Sequence, residues 1–323
     1  MGAQSAIEWT DASWTPIRGV KGKWSCIKVS PGCTYCYAER LNQRFGGPAY
    51  TVGADDLRLD EKVLTEPLRW KRPRRVFVCS MTDLFEERVS DLWIGRIFGT
   101  MAEAWWHEFQ VLTKRAERLY EWSKAVMHYP KGDRSQKPVC GWPPNVVVMV
   151  SAEDQQRADE RIPWLLKTPA QVRGVSLEPL LGPINLERYL WASGDEGEPA
   201  PRNDPHTPSL HWTIVGGESG GPPERALVEQ CCECGDYQSQ HRDGARMGTG
   251  SCRVCEHGEP PDGCKRFRFA SWELKAEALA WVRSIRDQCV SAGVPFFFKQ
   301  LGGPTPKSGG RMLDGREWSE YPQ

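Results

Sequence analysis

The chain has 323 residues, with 42 Lys plus Arg against 42 Asp plus Glu, 39% hydrophobic residues and 12 cysteines. The balanced charge argues against a general affinity for nucleic acid but leaves room for a local basic groove. The start, MGAQSAIEWTDASW, is polar and lacks an apolar signal core, and no stretch approaches the length of a membrane span. A cytoplasmic protein with no membrane partner is therefore expected; its clustered cysteines are read as metal ligands rather than disulfides, and the isolated Cys79, Cys140 and Cys289 as buried small hydrophobes.

In chain order, Glu8, Trp9, Thr10 and Trp14 come first, and they either close a pocket floor or pack an N-terminal strand. The segment WSCIKVSPGCTYCYAER follows and carries Cys26, Cys33 and Cys36. RRVFVCS (74–80) reads as a buried strand ending in the polar loop MTDLF, and VSDLWIGRIFGTMAEAW then has helical spacing. EFQVLTK (108–114) is the next strand, with a helix through RAERLYEWSKAV. NVVVMVS (145–151) is followed by a helix near QQRADERIPWLLK. VRGVSLEP (172–179) and LHWTIVGGES (210–219) are further strands, and the helix KAEALAWVRSIRDQCVSA precedes the last strand, GVPFFFKQ (293–300). Residues 129–143 read as a surface loop and 192–209 as a flexible linker.

Strands followed by helices predict an α/β fold with a parallel sheet and helices outside. Each strand ends in polar or Gly-rich residues, and in such folds chemistry sits at the C-terminal strand ends. Asp83 follows the first of these strands, and Lys114 and Arg115 end the next. Glu153 and Asp154 follow the third, Glu178 the fourth, Glu218 the fifth, and Lys299 ends the last. Each of these side chains suits a shared pocket, and each equally suits a surface ion pair or a loop cap.

Six residues separate Cys26 from Cys33, and two separate Cys33 from Cys36. Three thiolates on a cubane cluster leave one iron open for a substrate or cofactor. Structural zinc is the competing reading, but it wants four ligands, and no His or fourth Cys lies near this group. A redox-active C-x-x-C pair is the third and would not need Cys26.

A second cysteine group interrupts the α/β pattern. Cys231 and Cys234 form one C-x-x-C knuckle, Cys252 and Cys255 another, and 17 residues lie between them. This reads as a four-cysteine zinc ribbon binding Zn2+, with Cys232, His241, His257 and Cys264 as alternates. The segment is too polar to build a core, so metal would supply its folding energy. The division expected is a core over 1–220 and 269–323 with an inserted module over 221–268. The KRFRF run that follows the last cysteine serves either to touch nucleic acid or as an ordinary strand.

The stretches IEWTDASWTP, CIKVSPGCTYCYAER, PLRWKRPRRVFVCSMTDLF, FQVLTKRAERL, VSAEDQQRADERIPWLL, SLEPLLGPINL, WTIVGGESG, VRSIRDQCVSAGVPFFFKQ and LDGREW closely resemble the phage Gp37/Gp68-like family (DUF5131). That family in turn resembles a divergent, spore-photoproduct-lyase-like branch of the radical S-adenosylmethionine (radical SAM) proteins. Gly32, Cys33, Tyr35, Cys36, Tyr37 and Ala38 match its cysteine segment, Thr82 and Asp83 a later loop, and Thr113 and Lys114 the next. The usual motif has three residues between its first two cysteines where this chain has six.

By that resemblance the fold is a partial (β/α) barrel. Cys26, Cys33 and Cys36 would hold a [4Fe–4S] cluster whose open iron binds S-adenosyl-L-methionine, and Tyr35 would pack on the adenine or the cluster. Glu218 would accept from the cofactor's amine, with Gly216 and Gly217 giving it close approach to the backbone. Asp83 and Glu178 would orient the ligand, and Lys114 and Lys299 would bind an anionic part of the substrate. The implied activity is generation of a 5′-deoxyadenosyl radical acting on a nucleobase, nucleoside or DNA lesion. The electron donor would be a protein such as flavodoxin or ferredoxin. The alternative is a metal-stabilised nucleic-acid-binding or regulatory protein with no radical chemistry.

Overall fold

A computed structural model describes residues 5–19, 22–50, 57–127, 141–191, 209–222, 225–232, 269–303 and 309–322. Seven strands form one sheet: β1 (Ala12–Trp14), β2 (Arg75–Val78), β3 (Glu108–Thr113), β4 (Val146–Ser151), β5 (Val172–Leu177), β6 (Trp212–Gly216) and β7 (Phe296–Gln300). They lie side by side in chain order, and every neighbouring pair is parallel. β1 and β7 stand at opposite edges of the curled sheet, which is therefore an open half-barrel.

Parallel neighbours need a crossover, and helices supply most of them. Helix α1 (Tyr37–Arg44) follows the cysteine loop, α2 (Asp91–Glu103) precedes β3, and α3 (Ala116–Met127) precedes β4. Helix α4 (Gln155–Lys167) precedes β5, and α5 (Ala276–Ala292) precedes β7. The starts are capped from the sequence: Ser90 Oγ accepts from Trp93 N–H, and Asp154 Oδ1 accepts from Arg157 N–H at 2.8 Å. Gly293, at φ 61°, ends α5 in the left-handed conformation that glycine adopts without penalty.

Alternation along the strands sorts the core into two faces. Val76, Val78, Phe109, Val111, Val148, Val175, Val215, Phe296 and Phe298 pack with Ile94, Ile97, Phe98, Leu119, Ile162, Val282 and Ile285 of the helices. The opposite, helix-free face is filled by Trp9, Phe77, Val147, Met149, Trp212, Ile214 and Phe297, with Ile7, Leu112 and Tyr321 against them. Trp9 lies 4.6 Å from Phe77 and 6.3 Å from Trp212 between ring centroids, so aromatic edges and faces close the concave side. Trp9 is therefore part of the floor. Trp14 is not: it belongs to the helix-side core, and its indole N–H donates to Val63 O at 2.7 Å.

Between β6 and α5, strand Val228–Cys232 pairs antiparallel with Phe269–Leu274. Residues 233–268, with Cys234, Cys252, Cys255, His241, His257 and Cys264, lie outside the described residues, and for Cys231 and Cys232 only the backbone is described. The linker 192–208 and most of the loop 129–143 also lie outside them. Among the described residues no helix is long and apolar enough to cross a membrane.

Candidate active site

The loop leaving β1 crosses the C-terminal ends of the other strands. It makes a 3-10 turn at Pro31–Cys33, and Cys36 stands at the N-terminus of α1. Cys26, Cys33 and Cys36 are free and only partly buried. Cys26 and Cys36 pack against a small cluster of Trp24, Ala38, Tyr50 and Met81. Fully buried Asn42 fixes the returning chain: its side chain accepts from Trp24 N–H at 3.1 Å and donates to Trp24 O and Pro48 O, each at 2.9 Å.

Three arginine–carboxylate pairs pin this loop. Arg115, just beyond β3, pairs with Asp83 at 3.1 Å and with Glu87 at 2.9 Å, and donates to Ile27 O at 3.1 Å. Glu153, wholly buried beyond β4, pairs with Arg161 of α4 at 3.1 Å and accepts from Gly32 N–H at 3.0 Å. Arg225 is ion-paired to Glu218 beyond β6, donates to Pro31 O at 3.0 Å, and lies over the Tyr35 ring at 5.1 Å. Arg40 of α1 reaches back to Ser219 O and Gly220 O. Contacts from three strand ends thus hold backbone atoms of residues 27, 31 and 32.

The electrostatics follow the pairing. Burial pushes the Glu153 carboxyl up, but hydrogen bonds from Ser30 and Gly32 and the charges of Arg161 and Lys114 outweigh it and hold it below the usual range. Burial lowers the Arg115 pKa, and the carboxylates of Asp83 and Glu87 more than restore it. Burial, with the Asp83 carboxylate adding to it, pushes the Cys26 thiol up to about 12. Burial also raises Cys36. Such thiols become thiolates when a metal takes the proton's place.

Among the described residues no three His, Cys, Asp or Glu side chains converge to hold a single metal ion. The loop's own donors are three soft thiols, with none engaged in a disulfide. That is the donor chemistry of a sulfur-ligated iron cluster, whose ligands bind separate irons rather than one ion, and the residues fit it.

Several residues expected to touch ligand have other occupants. Asp83 accepts from Thr113 Oγ1 at 2.7 Å, Lys114 N–H at 3.0 Å and Phe85 N–H at 3.0 Å as well as pairing with Arg115, so its lone pairs are spent inside the protein. Glu218 is taken by Arg225. At Gly216 a Cβ would come within 2.5 Å of Glu178 Oε1, and at Gly217 within 2.1 Å of Leu301 O. Those glycines admit the protein's own atoms. Asp83 and Glu218 here orient the arginines that hold the loop.

Glu178, Lys299 and Lys114 are different. Lys299 Nζ stands 3.0 Å from Glu178 Oε1, an ion pair without hydrogen-bonding geometry, while Oε2 accepts from Ser176 Oγ at 3.1 Å. The Lys114 ammonium makes no hydrogen bond or ion pair among the described residues, although its charge is felt at Glu153 and Cys36. Tyr37 donates its hydroxyl to Ser80 O at 2.7 Å while the residue as a whole stays 46% exposed, with Glu178 close enough to act on the hydroxyl. Arg161 and Arg225 were not singled out in the sequence, and Tyr37 entered only as part of the matching cysteine segment. Only for Arg161, eight residues after Glu153 on the adjoining helix, does the spacing carry a usable signal.

No curated protein and no solved structure matches the chain. A family model described as "Protein of unknown function (DUF5131)" matches residues 4–233 and 273–322, passing over the segment that the antiparallel stem brackets. The family covers both edges of the half-barrel, the cysteine loop and all three arginine pairs, and this chain belongs to it.

Proposed function

We propose that the protein is a radical S-adenosylmethionine-type enzyme with a [4Fe–4S] cluster on Cys26, Cys33 and Cys36. The observation that supports this most is the cysteine loop itself: it follows the first strand of a parallel half-barrel and is pinned over the polar strand ends. With S-adenosyl-L-methionine bound, the cluster would supply one-electron cleavage of the sulfonium, releasing methionine and a 5′-deoxyadenosyl radical that removes hydrogen from the substrate.

The chain's own residues would do the rest. The arginine pairs would hold the loop still, and the aromatic floor around Trp9 and Trp212 would keep water from the reaction from below. Tyr35, backed by Arg225, would pack on the adenine or the cluster. Glu178 and Lys299 would orient polar groups of the ligands at the mouth. The substrate proposed is a nucleobase, nucleoside or DNA lesion, and the electron donor a flavodoxin- or ferredoxin-like protein. The inserted segment would bind Zn2+ on Cys231, Cys234, Cys252 and Cys255; the spacing of the two C-x-x-C knuckles, the first of which begins on the antiparallel stem, favours that reading.

The test is anaerobic reconstitution followed by metal analysis, and chromatography for 5′-deoxyadenosine against a Cys36→Ala control. The enzyme reading expects about four irons per chain, with product only from the unmodified protein. Two zincs with no iron would sink it, and a metal-stabilised nucleic-acid-binding protein would take its place.

A further inference from the structure

The charged groups at the mouth of the half-barrel are paired almost one to one. Asp83 and Glu87 belong to Arg115, Glu86 to Arg88, Glu153 to Arg161, Glu218 to Arg225 and Glu178 to Lys299. Among the described residues Lys114 is left over. It lies one residue beyond β3, where Thr113 pairs with Val150, so the neighbouring position on β4 is Ser151, which pairs in turn with Ser176 of β5. Alternation puts Lys114 on the concave face, continuing from Leu112. Glu178 follows Ser176 by two residues and so faces the same side, and Lys299, at the bulge where β7 slips by one residue against β6, reaches the Glu178 carboxylate at 3.0 Å.

A half-buried ammonium with no protein partner is costly unless an anion supplies the missing charge and acceptors. Lys299 adds to the demand. Its carboxylate partner is met without hydrogen-bonding geometry, which leaves ammonium protons to donate elsewhere. Two lysines therefore face the mouth on the same side as one carboxylate not claimed by an arginine.

We propose that the mouth of the half-barrel contains an oxyanion site built on Lys114, with Lys299 as its second cation, and that the substrate brings a phosphate or carboxylate group to it. This rests on reading the mouth as the reaction site. The shared chemistry is a negatively charged oxygen group accepting charge-assisted hydrogen bonds from ammonium donors.

The test uses the full chain and two simple probes. Inorganic phosphate and acetate are titrated separately by calorimetry at low ionic strength into the unmodified protein, Lys114→Gln and Lys299→Gln, with circular dichroism to check the fold. Saturable binding of at least one probe is expected, weakened about tenfold or more in Lys114→Gln, the scale of one lost charge-assisted hydrogen bond. Tighter phosphate binding would assign a phosphorylated substrate and tighter acetate binding a carboxylate. No binding to the unmodified protein, or equal binding to Lys114→Gln, overturns the site. If the variant does not fold, limited acetylation of the unmodified protein decides. Phosphate or acetate should slow modification of Lys114, read by mass spectrometry, relative to chloride at equal ionic strength, and no slowing overturns the proposal. Iron content separates the two readings: anion binding through Lys114 in a protein that takes up no iron keeps this site and sinks the radical enzyme.

Discussion

Glu153 Oε1 accepts a hydrogen bond from Gly32 N–H at 3.0 Å, joining two residues 121 positions apart. The carboxylate is wholly buried, so the bond is made where water cannot replace it, and Arg161 supplies the balancing charge at 3.1 Å. The backbone next to Cys33 is thereby tied to the end of β4 and, through Arg161, to α4.

Replacing Glu153 with Ala would strand Arg161 as a buried, unpaired charge. Breaking such a pair costs about 3–5 kcal/mol, and chemical denaturation should show a loss of that size. The same variant, free of metal, should alkylate faster at Cys33, because the loop loses one of its three tethers. Unaltered Cys33 reactivity would mean that the tether does not govern the loop.

Gly217 and Gly95 should respond oppositely to alanine. At Gly217 the new Cβ would sit 2.1 Å from the backbone oxygen of Leu301, which has no rotamer to move away on. The cost expected is about 1–3 kcal/mol or more, as for overpacking. Gly95, inside α2, has nothing within 4 Å of its Cβ position. There alanine should stabilise by about 0.5–1 kcal/mol through helix propensity. Thermal melts of the two variants check both signs, and equal destabilisation would refute the account of Gly217.

Cys33→Ala should abolish the visible absorbance of a reconstituted iron cluster while the zinc content of the chain stays the same. The two cysteine groups are far apart in sequence, and the family match includes the first group but passes over 234–272. Iron bound at the level of the unmodified protein would rule Cys33 out as a ligand.

The C-terminal residues carry an acid-sensitive tie. Asp314 lies between Arg283 and Arg286 of α5, with Arg283 Nε 3.1 Å from both of its carboxylate oxygens. Hydrogen bonds from the two arginines bring its pKa down to about 2 from 3.8. A lowered folded-state pKa stabilises above 3.8 and loses that contribution as pH falls towards 2. Fluorescence of Trp318, over which Arg286 and Arg316 lie, should report loosening in that window. The step should vanish in Asp314→Asn, and an identical transition in that variant would remove Asp314 from the explanation.

Much of the scaffold was legible in the residues. The runs VFV, FQVL, VVVMV, GVSL, WTIV and FFF all fall within strands, and the helices between them begin and end within a few residues of their apolar periodicity. Strand β1 was the weak case, because three residues are too few to show alternation. Helix α1 was missed altogether, since at eight mostly polar residues it is too short to be stable by itself, and tertiary contacts such as Arg40 to Gly220 hold it.

The sequence by itself determined which chemical groups are present at the strand ends and how the strands alternate with helices, because both depend on neighbours a few residues apart. Tertiary structure decided how those groups are used. Asp83 and Glu218 look as available as Glu178 in a linear reading, yet folding brings Arg115 and Arg225 onto them and leaves Lys114 without a partner among the described residues. The reason is physical: a buried charge takes its partner from whatever crosses it in space, and the crossings over the mouth join residue 32 to 153 and residue 31 to 225, separations that no local periodicity encodes.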